Sequence, residues 1–174
     1  PMYFLFGGAW SGGHCTCGVA APAADWYFAE GTTRGGFDSY LCIQNPRETE
    51  AEVKITYMKG DGSTSTQDLS VSGESRFTVS VGSVLGVGDD EAHDFSARVE
   101  STNGVPIICE RPMYFLFGGA WSGGHCTCGV AAPAGEWYFA EGTTRSGFDE
   151  WLCLQNPQGE KVTADLTFMT GEGE

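Results

Sequence analysis

Basic residues are scarce in this sequence, because only nine Lys and Arg stand against 23 Asp and Glu, which gives a formal net charge of −14. Proteins that bind nucleic acid usually carry a basic patch or stripe, so the composition argues against that class. The sequence contains no run of about 18 apolar residues, and it therefore predicts no membrane-spanning helix. The acidic surface is typical of a solvated, salt-tolerant protein or of one that binds cations.

The motifs of several enzyme classes are missing as well. The sequence has neither the G-x-S-x-G turn of serine hydrolases nor the H-E-x-x-H helix of zinc proteases. It also lacks the C-x-x-C-H motif that attaches haem. Its three histidines lie beside glycines, at His14 and His125, or in an acidic loop, at His93. We therefore predict that the protein is not an enzyme and holds no cofactor.

Helical periodicity is nearly absent, and short alternating stretches take its place. Val53–Tyr57 alternates apolar with polar residues before the turn cluster Lys59–Gly62, and similar stretches recur about every 8–12 residues. The longest β-rich run, 105–117, contains Pro106 and Pro112, which favour an edge strand or a bend. With about seven to nine strands in each period, this spacing predicts all-β, tandem immunoglobulin-like antiparallel β-sandwiches.

The sequence repeats itself with a period of 111 residues. Residues 1–23 return unchanged as 112–134, and WYFAEGTTRGGFDSYLCIQNP from Trp26 returns as WYFAEGTTRSGFDEWLCLQNP from Trp137. A period of this length is the size of one ordinary domain. It is too long for the short helical or leucine-rich solenoid repeats.

The repeat also suggests where modules begin and end. The Ala-Pro-Ala segments at 21–23 and 132–134 have the composition of short linkers. We therefore read the chain as a segment of a longer array with three parts. These are the C-terminal part of a preceding module (1–23), a complete β-sandwich module (24–134) and the N-terminal part of a following module (135–174).

Each period carries several motifs in a fixed order. They are WYFAEGTT from Trp26, GFD from Gly36, a strand that ends in QNP at Pro46, and PIICERPMYF from Pro106, followed by a GGH turn. Together they resemble a repeat of large secreted bacterial cell-surface proteins. The resemblance spans the whole period and implies a surface-exposed, immunoglobulin-like module with no known activity. The sequence departs from the family's pattern at Cys15, Cys17, Cys42 and Cys109, which stand where that pattern has aliphatic or small residues, so we expect this array to be additionally cross-linked.

The cysteines follow the repeat, with four in each full period. The seven in the chain are Cys15, Cys17, Cys42, Cys109, Cys126, Cys128 and Cys153. Four cysteines in a Gly-rich, acidic unit are typical of a disulfide framework in an oxidising compartment, and they allow three pairings. Because Cys42 and Cys109 replace apolar strand residues, we predict a bond between them. Cys15 and Cys17 then have other partners, including ones on a neighbouring subunit.

Metal binding is the alternative for these thiols. His14, Cys15, Cys17 and a further cysteine can build a tetrahedral site, although structural zinc sites usually space cysteines by about two to four residues. Calcium is a second candidate, since an acidic loop offers oxygen ligands without the EF-hand pattern; a solvated loop is the other interpretation. The candidate calcium ligands are Asp89, Asp90 and Glu91.

Aromatic and charged residues recur near the Gly-rich turns. We predict that the tryptophans pack in the core and between modules; a sugar-stacking platform with Tyr27 and Phe28 is the alternative. These tryptophans are Trp10 and Trp26, with their copies Trp121 and Trp137. We further expect Arg34 to pair with Glu30 or Asp38.

Incomplete modules would expose unpaired strand edges, which are templates for pairing with another chain. Strand addition that repeats head to tail gives a fibre rather than a closed ring. The sequence therefore predicts a structural extracellular protein, a disulfide-reinforced homopolymer that forms a filament, stalk or surface layer at the bacterial cell surface. The alternative is an adhesive module that binds carbohydrate or calcium.

Overall fold

The computed structural model describes residues 2–6, 9–117 and 121–171. Side chains at positions 3–6, 9–11, 117 and 121 lie outside this description. The described residues form ten strands and two short helical segments. The strands are β1 (Met2–Phe6), β2 (Ala9–His14), β3 (Asp25–Thr32), β4 (Phe37–Asn45), β5 (Ala51–Lys59), β6 (Thr64–Val71), β7 (Ser75–Ser80), β8 (Asp94–Ser101), β9 (Ile108–Phe117) and β10 (Trp121–Cys128). The helical segments are α1 (Val81–Leu85) and a 3₁₀ turn (Glu91–His93), so no described helix is long and apolar enough to cross a membrane.

The strands from β3 to β10 build two antiparallel four-stranded sheets. One has the order β10-β9-β4-β7 and the other the order β3-β8-β5-β6, while β1 and β2 form a separate hairpin. The prediction of an all-β, antiparallel β-sandwich is confirmed. The eight strands of the sandwich also lie within the predicted number.

Alternation along each strand decides which residues enter the core between the sheets. On β5, Val53, Ile55 and Tyr57 are buried, while the intervening side chains point away from the core. Ile55 lies opposite Val99 of β8 in the antiparallel register, so both strands present their apolar faces at the same level. Successive side chains of a strand point to opposite faces of the sheet, which is why the alternating stretches identified these strands from sequence.

Pro112 lies in a central strand, contrary to the expectation of an edge or a bend. Strand β9 is flanked by β10 on one side and β4 on the other. Its ladder with β4 pairs Met113 with Ser39 and then resumes at Glu110 with Cys42. Because proline has no backbone N–H to donate, the central position is accommodated by this gap in the ladder.

The sandwich includes the end of the first Ala-Pro-Ala segment. The Ala23 N–H donates to the Ile107 carbonyl at 2.9 Å, and the Ile107 N–H donates back to Ala23 at 2.8 Å. Ala134, the copy of Ala23, lies in an exposed coil. Ala23 is therefore hydrogen-bonded into the module, one residue before the boundary predicted at Ala24.

The second copy of the repeat keeps its turns without its strands. The Arg145 N–H donates to Thr143 Oγ1 at 3.3 Å and the Phe148 N–H to the Arg145 carbonyl at 3.0 Å, as in the GTTR turn of the first copy. Gly147 has a φ of 90°, which glycine adopts without steric cost. Apart from one bridge residue, Thr170, the described residues of 135–171 form no strand.

Strand pairing explains this difference between the copies. In the first copy, β3 pairs with β8, and β4 pairs with β7 and β9. Within the described residues, the second copy has no such partner strands. Turns depend on neighbouring residues, whereas an isolated strand leaves its backbone groups without partners. Most side chains of 135–171 are therefore exposed, although Gln155 Nε2 donates to the Ala97 carbonyl of the first copy at 3.2 Å.

Candidate assembly site

The N-terminal hairpin, β1–β2, lies against β10 of the sandwich. Tyr114 Oη donates to Met2 Sδ at 3.1 Å, and the rings of His14 and Tyr114 are 6.0 Å apart. Thr16 Oγ1 lies 3.5 Å from Cys128 Sγ. Since residues 2–14 have the same sequence as residues 113–125 of the β9–β10 hairpin, this contact brings two copies of the same hairpin sequence together. We call it the hairpin contact.

Three cysteines share the outer face of the sheet beside the hairpin contact. In the register of the sheet, Glu110 lies opposite Cys42 on one side and Cys128 on the other. The thiols of Cys126 and Cys128 approach the Glu110 carboxylate at 3.9 and 3.8 Å. We call this group, Cys42, Cys126 and Cys128 around Glu110, the thiol face.

Cys109 points the other way, into the core. It is fully buried and lies opposite Ile43 in the β4–β9 register, whereas Cys42 is on the outer face. The predicted Cys42–Cys109 bond is therefore wrong, because the two side chains emerge on opposite faces of the sheet. Burial raises the pKa of Cys109 well above its ordinary value.

All seven cysteines are free thiols in this structure. Cys15 and Cys17, which follow β2, are exposed, and so is Cys153 in the second copy. Burial, and then the charge of Glu110, raises the pKa of Cys126 to about 12. A thiol with such a pKa is a poor nucleophile at neutral pH.

A buried arginine, which the sequence analysis missed, lies on the inner face of β9. Arg111 is only 3% exposed and stands between Cys109 and Met113. Its Nη2 donates to Glu30 Oε2 at 3.2 Å, and its Nε and Nη1 have no hydrogen-bond partner among the described residues. Burial lowers the pKa of Arg111, and burial together with the Arg111 charge lowers that of His125. The alternation of side chains along β9, which puts Cys109, Arg111 and Met113 on one face, was the sequence signal that could have predicted a buried Arg111.

The Arg111–Glu30 pair predicts a difference between the two copies of the repeat. Replacing Glu30 with Gln leaves the buried guanidinium without its counter-charge. Because the Glu30 side chain is itself 44% exposed, we expect a loss of about 1–2 kcal/mol rather than the larger cost of a fully buried pair. Urea unfolding would measure it. Glu141, the exposed copy, is the control, and an equal loss in Glu141→Gln would contradict the assignment.

Arg34 pairs with an acidic residue that the sequence analysis did not select. Its Nε and Nη2 donate to the two carboxylate oxygens of Asp94 at 2.9 and 2.5 Å, and its Nη1 donates to the Asp89 carbonyl at 2.9 Å. The expected pairing with Glu30 or Asp38 is wrong, because the β3–β8 register places Asp94 beside the turn. Hydrogen bonding from Arg34 lowers the pKa of Asp94.

The acidic residues considered for calcium hold their own loop together. Asp89 Oδ1 accepts a hydrogen bond from the Gly35 N–H at 3.2 Å. Asp90 Oδ1 accepts from the Ala92 N–H at 3.1 Å and lies 2.7 Å from His93 Nδ1. Within the described ranges, no group of three His, Cys, Asp or Glu residues has the arrangement of a metal site. Within the same ranges, His14, Cys15 and Cys17 form no such group with a further cysteine either.

The tryptophans of the repeat occupy different environments. Trp26 lies in the core of its own module, where its Nε1 donates to the Ile107 carbonyl at 2.9 Å. Its copy Trp137 is exposed. Trp10 and Trp121 lie in strands, but their side chains are outside the described part of the chain. Burial of Trp26 makes it a core residue and removes it from any exposed sugar-stacking platform.

Fold and site together define a two-sheet, all-β sandwich that carries a contact between copies of its own hairpin. No protein-family model matches the sequence, and no curated protein matches it either.

Solved structures do show similarity to this fold. The crystal structure of Thermotoga maritima 1070 aligns with a TM-score of 0.54 and 21% identity, covering 63% of this chain and 94% of that one. The Anabaena sensory rhodopsin transducer aligns with a TM-score of 0.44 and 22% identity, covering 54% of this chain and 86% of that one. The first of these similarities supports the fold alone.

Proposed function

We propose that the chain belongs to a structural extracellular protein, in which tandem immunoglobulin-like sandwiches of the 111-residue repeat build a filament, stalk or surface layer at the cell surface. Copies of the chain are its partners, and the contacts are made by strand addition and by the repeated hairpin. The proposal assigns the protein no catalytic role. Its support comes from the unequal burial of the two copies of the repeat.

The observation that carries the proposal is a comparison of identical strand positions. Phe28 and Leu41 are 3% and 0% exposed in the first copy, whereas their counterparts Phe139 and Leu152 are 74% and 39% exposed in the second. Apolar side chains left in water lose about 1.5–3 kcal/mol each relative to full burial. Partner strands that cover the second copy would recover this free energy, and another copy of the module carries strands of the sequence that covers these positions in the first copy.

The N-terminal hairpin is one source of such a strand. In the register that joins β4 to β9, β1 of one molecule would place Phe4 beside Phe148 and Met2 beside Glu150 of the next. The donor and the acceptor are different surfaces, so the contact repeats without closing. This pairing extends a sheet by one strand.

Assembly of the full chain tests the proposal. We expect the average mass, measured by light scattering, to rise with protein concentration, and electron micrographs to show linear polymers. The double variant Phe148→Asp and Leu152→Asp places charge on the second copy and should remain monomeric. Because both positions are exposed in the single molecule, the module itself should unfold at an unchanged urea concentration.

Val84→Asp with Val87→Asp is the matched control, since both valines are exposed to a similar degree but lie outside the repeated strands. This control should assemble like the unmodified chain. A chain that stays monomeric at every concentration while folded would overturn the assembly proposal. Equal inhibition by both double variants would overturn the role of the second copy.

A further inference from the structure

We propose that Cys17 and Cys128 form a disulfide bond that fixes the N-terminal hairpin to β10. The inference deepens the proposed function, on which it rests for an oxidising, extracellular environment. It assigns a covalent role to the hairpin contact and to one residue of the thiol face. The bond would join two copies of the repeat through the same position of each.

The geometry selects these two cysteines. The Cys128 thiol donates to the Cys17 carbonyl at 2.9 Å, and the neighbouring Thr16 Oγ1 lies 3.5 Å from the same sulfur. The Cys17 backbone therefore lies directly beside the Cys128 side chain. A disulfide requires Cα atoms within about 4.4–6.8 Å, and the proposed bond would form by rotation of the Cys17 side chain, which is exposed, toward the Cys128 sulfur.

The other cysteines are poorer partners for Cys128. Cys42 is two strands away across β9, a separation of about 9.5 Å at the usual strand spacing. Cys126 is two residues along the same strand, where a bond would be strained. Cys109 is buried on the opposite face. Cys17, in contrast, is the cysteine whose backbone the Cys128 thiol contacts.

The chemistry is thiol–disulfide exchange with a small-molecule disulfide such as oxidised glutathione. One cysteine thiolate attacks the glutathione disulfide, which forms a mixed disulfide and releases one glutathione thiolate. The second cysteine thiolate attacks the protein sulfur of that mixed disulfide and releases the second glutathione. Two protein thiols are oxidised to one disulfide, and one oxidised glutathione is reduced to two thiols that take up the two protons.

The position of the bond in the repeat limits how it can propagate. Cys17 and Cys128 are copies of one another, 111 residues apart, and each sulfur can join only one partner. In a tandem array, bonds of this type would therefore link modules two by two. Cys15 and Cys126, which occupy the other cysteine position of the hairpin, take no part in this bond.

The test uses the full chain, oxidised in a glutathione buffer at a concentration where it is monomeric, then alkylated and digested with trypsin without reduction. Trypsin cleaves after Arg34, Arg98 and Arg145, while Pro112 protects the Arg111 bond. We expect fragment 1–34 to be linked to fragment 99–145 in the mass spectrum. The link should disappear after reduction.

Single variants identify the cysteines. Cys17→Ser and Cys128→Ser should each abolish the link, whereas Cys15→Ser and Cys126→Ser should retain it. Urea unfolding of the reduced variants verifies that each is folded. A link that persists in Cys17→Ser, or a folded chain that forms no link between these fragments, would refute the assignment. Because the readout is intramolecular, it can fail while assembly succeeds, or succeed while assembly fails.

Discussion

Replacing Trp26 with alanine is expected to cost about 3–5 kcal/mol of unfolding free energy, the range measured for buried aromatic residues. The same replacement at Trp137 is expected to change it by less than about 0.5 kcal/mol, as is usual at exposed positions. The two tryptophans begin the same WYFAEGTT sequence, so residue type and local sequence are matched. Only their tertiary environment differs.

The cost at Trp26 has two physical parts. The indole is buried between the sheets, so its removal exposes apolar surface and leaves a cavity that the core fills only partly. Its Nε1 also donates to the Ile107 carbonyl, and the variant loses this hydrogen bond, worth about 0.5–1.5 kcal/mol, while the carbonyl keeps its bond from the Ala23 N–H. Trp137 lacks this burial.

Urea unfolding of the reduced chain, at a concentration where it is monomeric, measures both variants. The sandwich is the cooperative unit that the transition reports. Similar losses at the two positions would mean that the second copy folds into a core of its own, contrary to the structure. In the assembled state the order is expected to change, because Trp137→Ala should then weaken assembly while leaving the monomer unaffected.

Strands were predictable from sequence because alternation is a local property. Val53–Tyr57 showed the period-two pattern and lies in β5. The same local reasoning could not distinguish 26–45 from 137–156, since these segments are nearly identical but only the first pairs with other strands among the described residues. The expectation that Pro112 lies at an edge or a bend was wrong for a related reason. The gap in the β4–β9 ladder that accommodates this proline is a property of the paired strands and not of the local sequence.

The arrangement of the candidate assembly site could not be predicted without the register between strands. Sequence identified the cysteines but not their faces, and a shift of one residue along a strand moves a side chain to the other side of the sheet. Cys42 and Cys109 differ in this way, and so the predicted bond between them was wrong. Arg34 likewise pairs with Asp94, 60 residues away, because β3 lies beside β8 in the sheet.

The second large effect is expected at Ser39, where the two copies differ in sequence. Ser39 is buried, and its hydroxyl donates to the Thr32 carbonyl at 2.7 Å. The corresponding residue is Glu150, which is exposed and accepts a hydrogen bond from the Thr143 N–H. Introducing the residue of the second copy by Ser39→Glu is expected to destabilise the module by about 3 kcal/mol or more at neutral pH, because it buries a carboxylate beside a carbonyl oxygen.

The loss should depend on pH in a defined direction. Burial raises the pKa of the introduced carboxyl in the folded state above the value of about 4.3 in the unfolded chain. The folded state then binds more protons between these two values, so the unfolding free energy falls as pH rises above about 4.3. Urea unfolding between pH 4 and 7 measures this slope, and Ser39→Gln, which has the same shape without the charge, should not show it.

This prediction also separates two routes of assembly. If 137–156 of one molecule replaced 26–45 of another, Glu150 would have to enter the buried position of Ser39 and pay the same electrostatic cost. A large, pH-dependent loss in Ser39→Glu would therefore disfavour exchange of the repeated segments and leave addition of partner strands to the exposed second copy. A Ser39→Glu variant as stable as Ser39→Gln at pH 7 would instead make exchange the simpler route to a polymer.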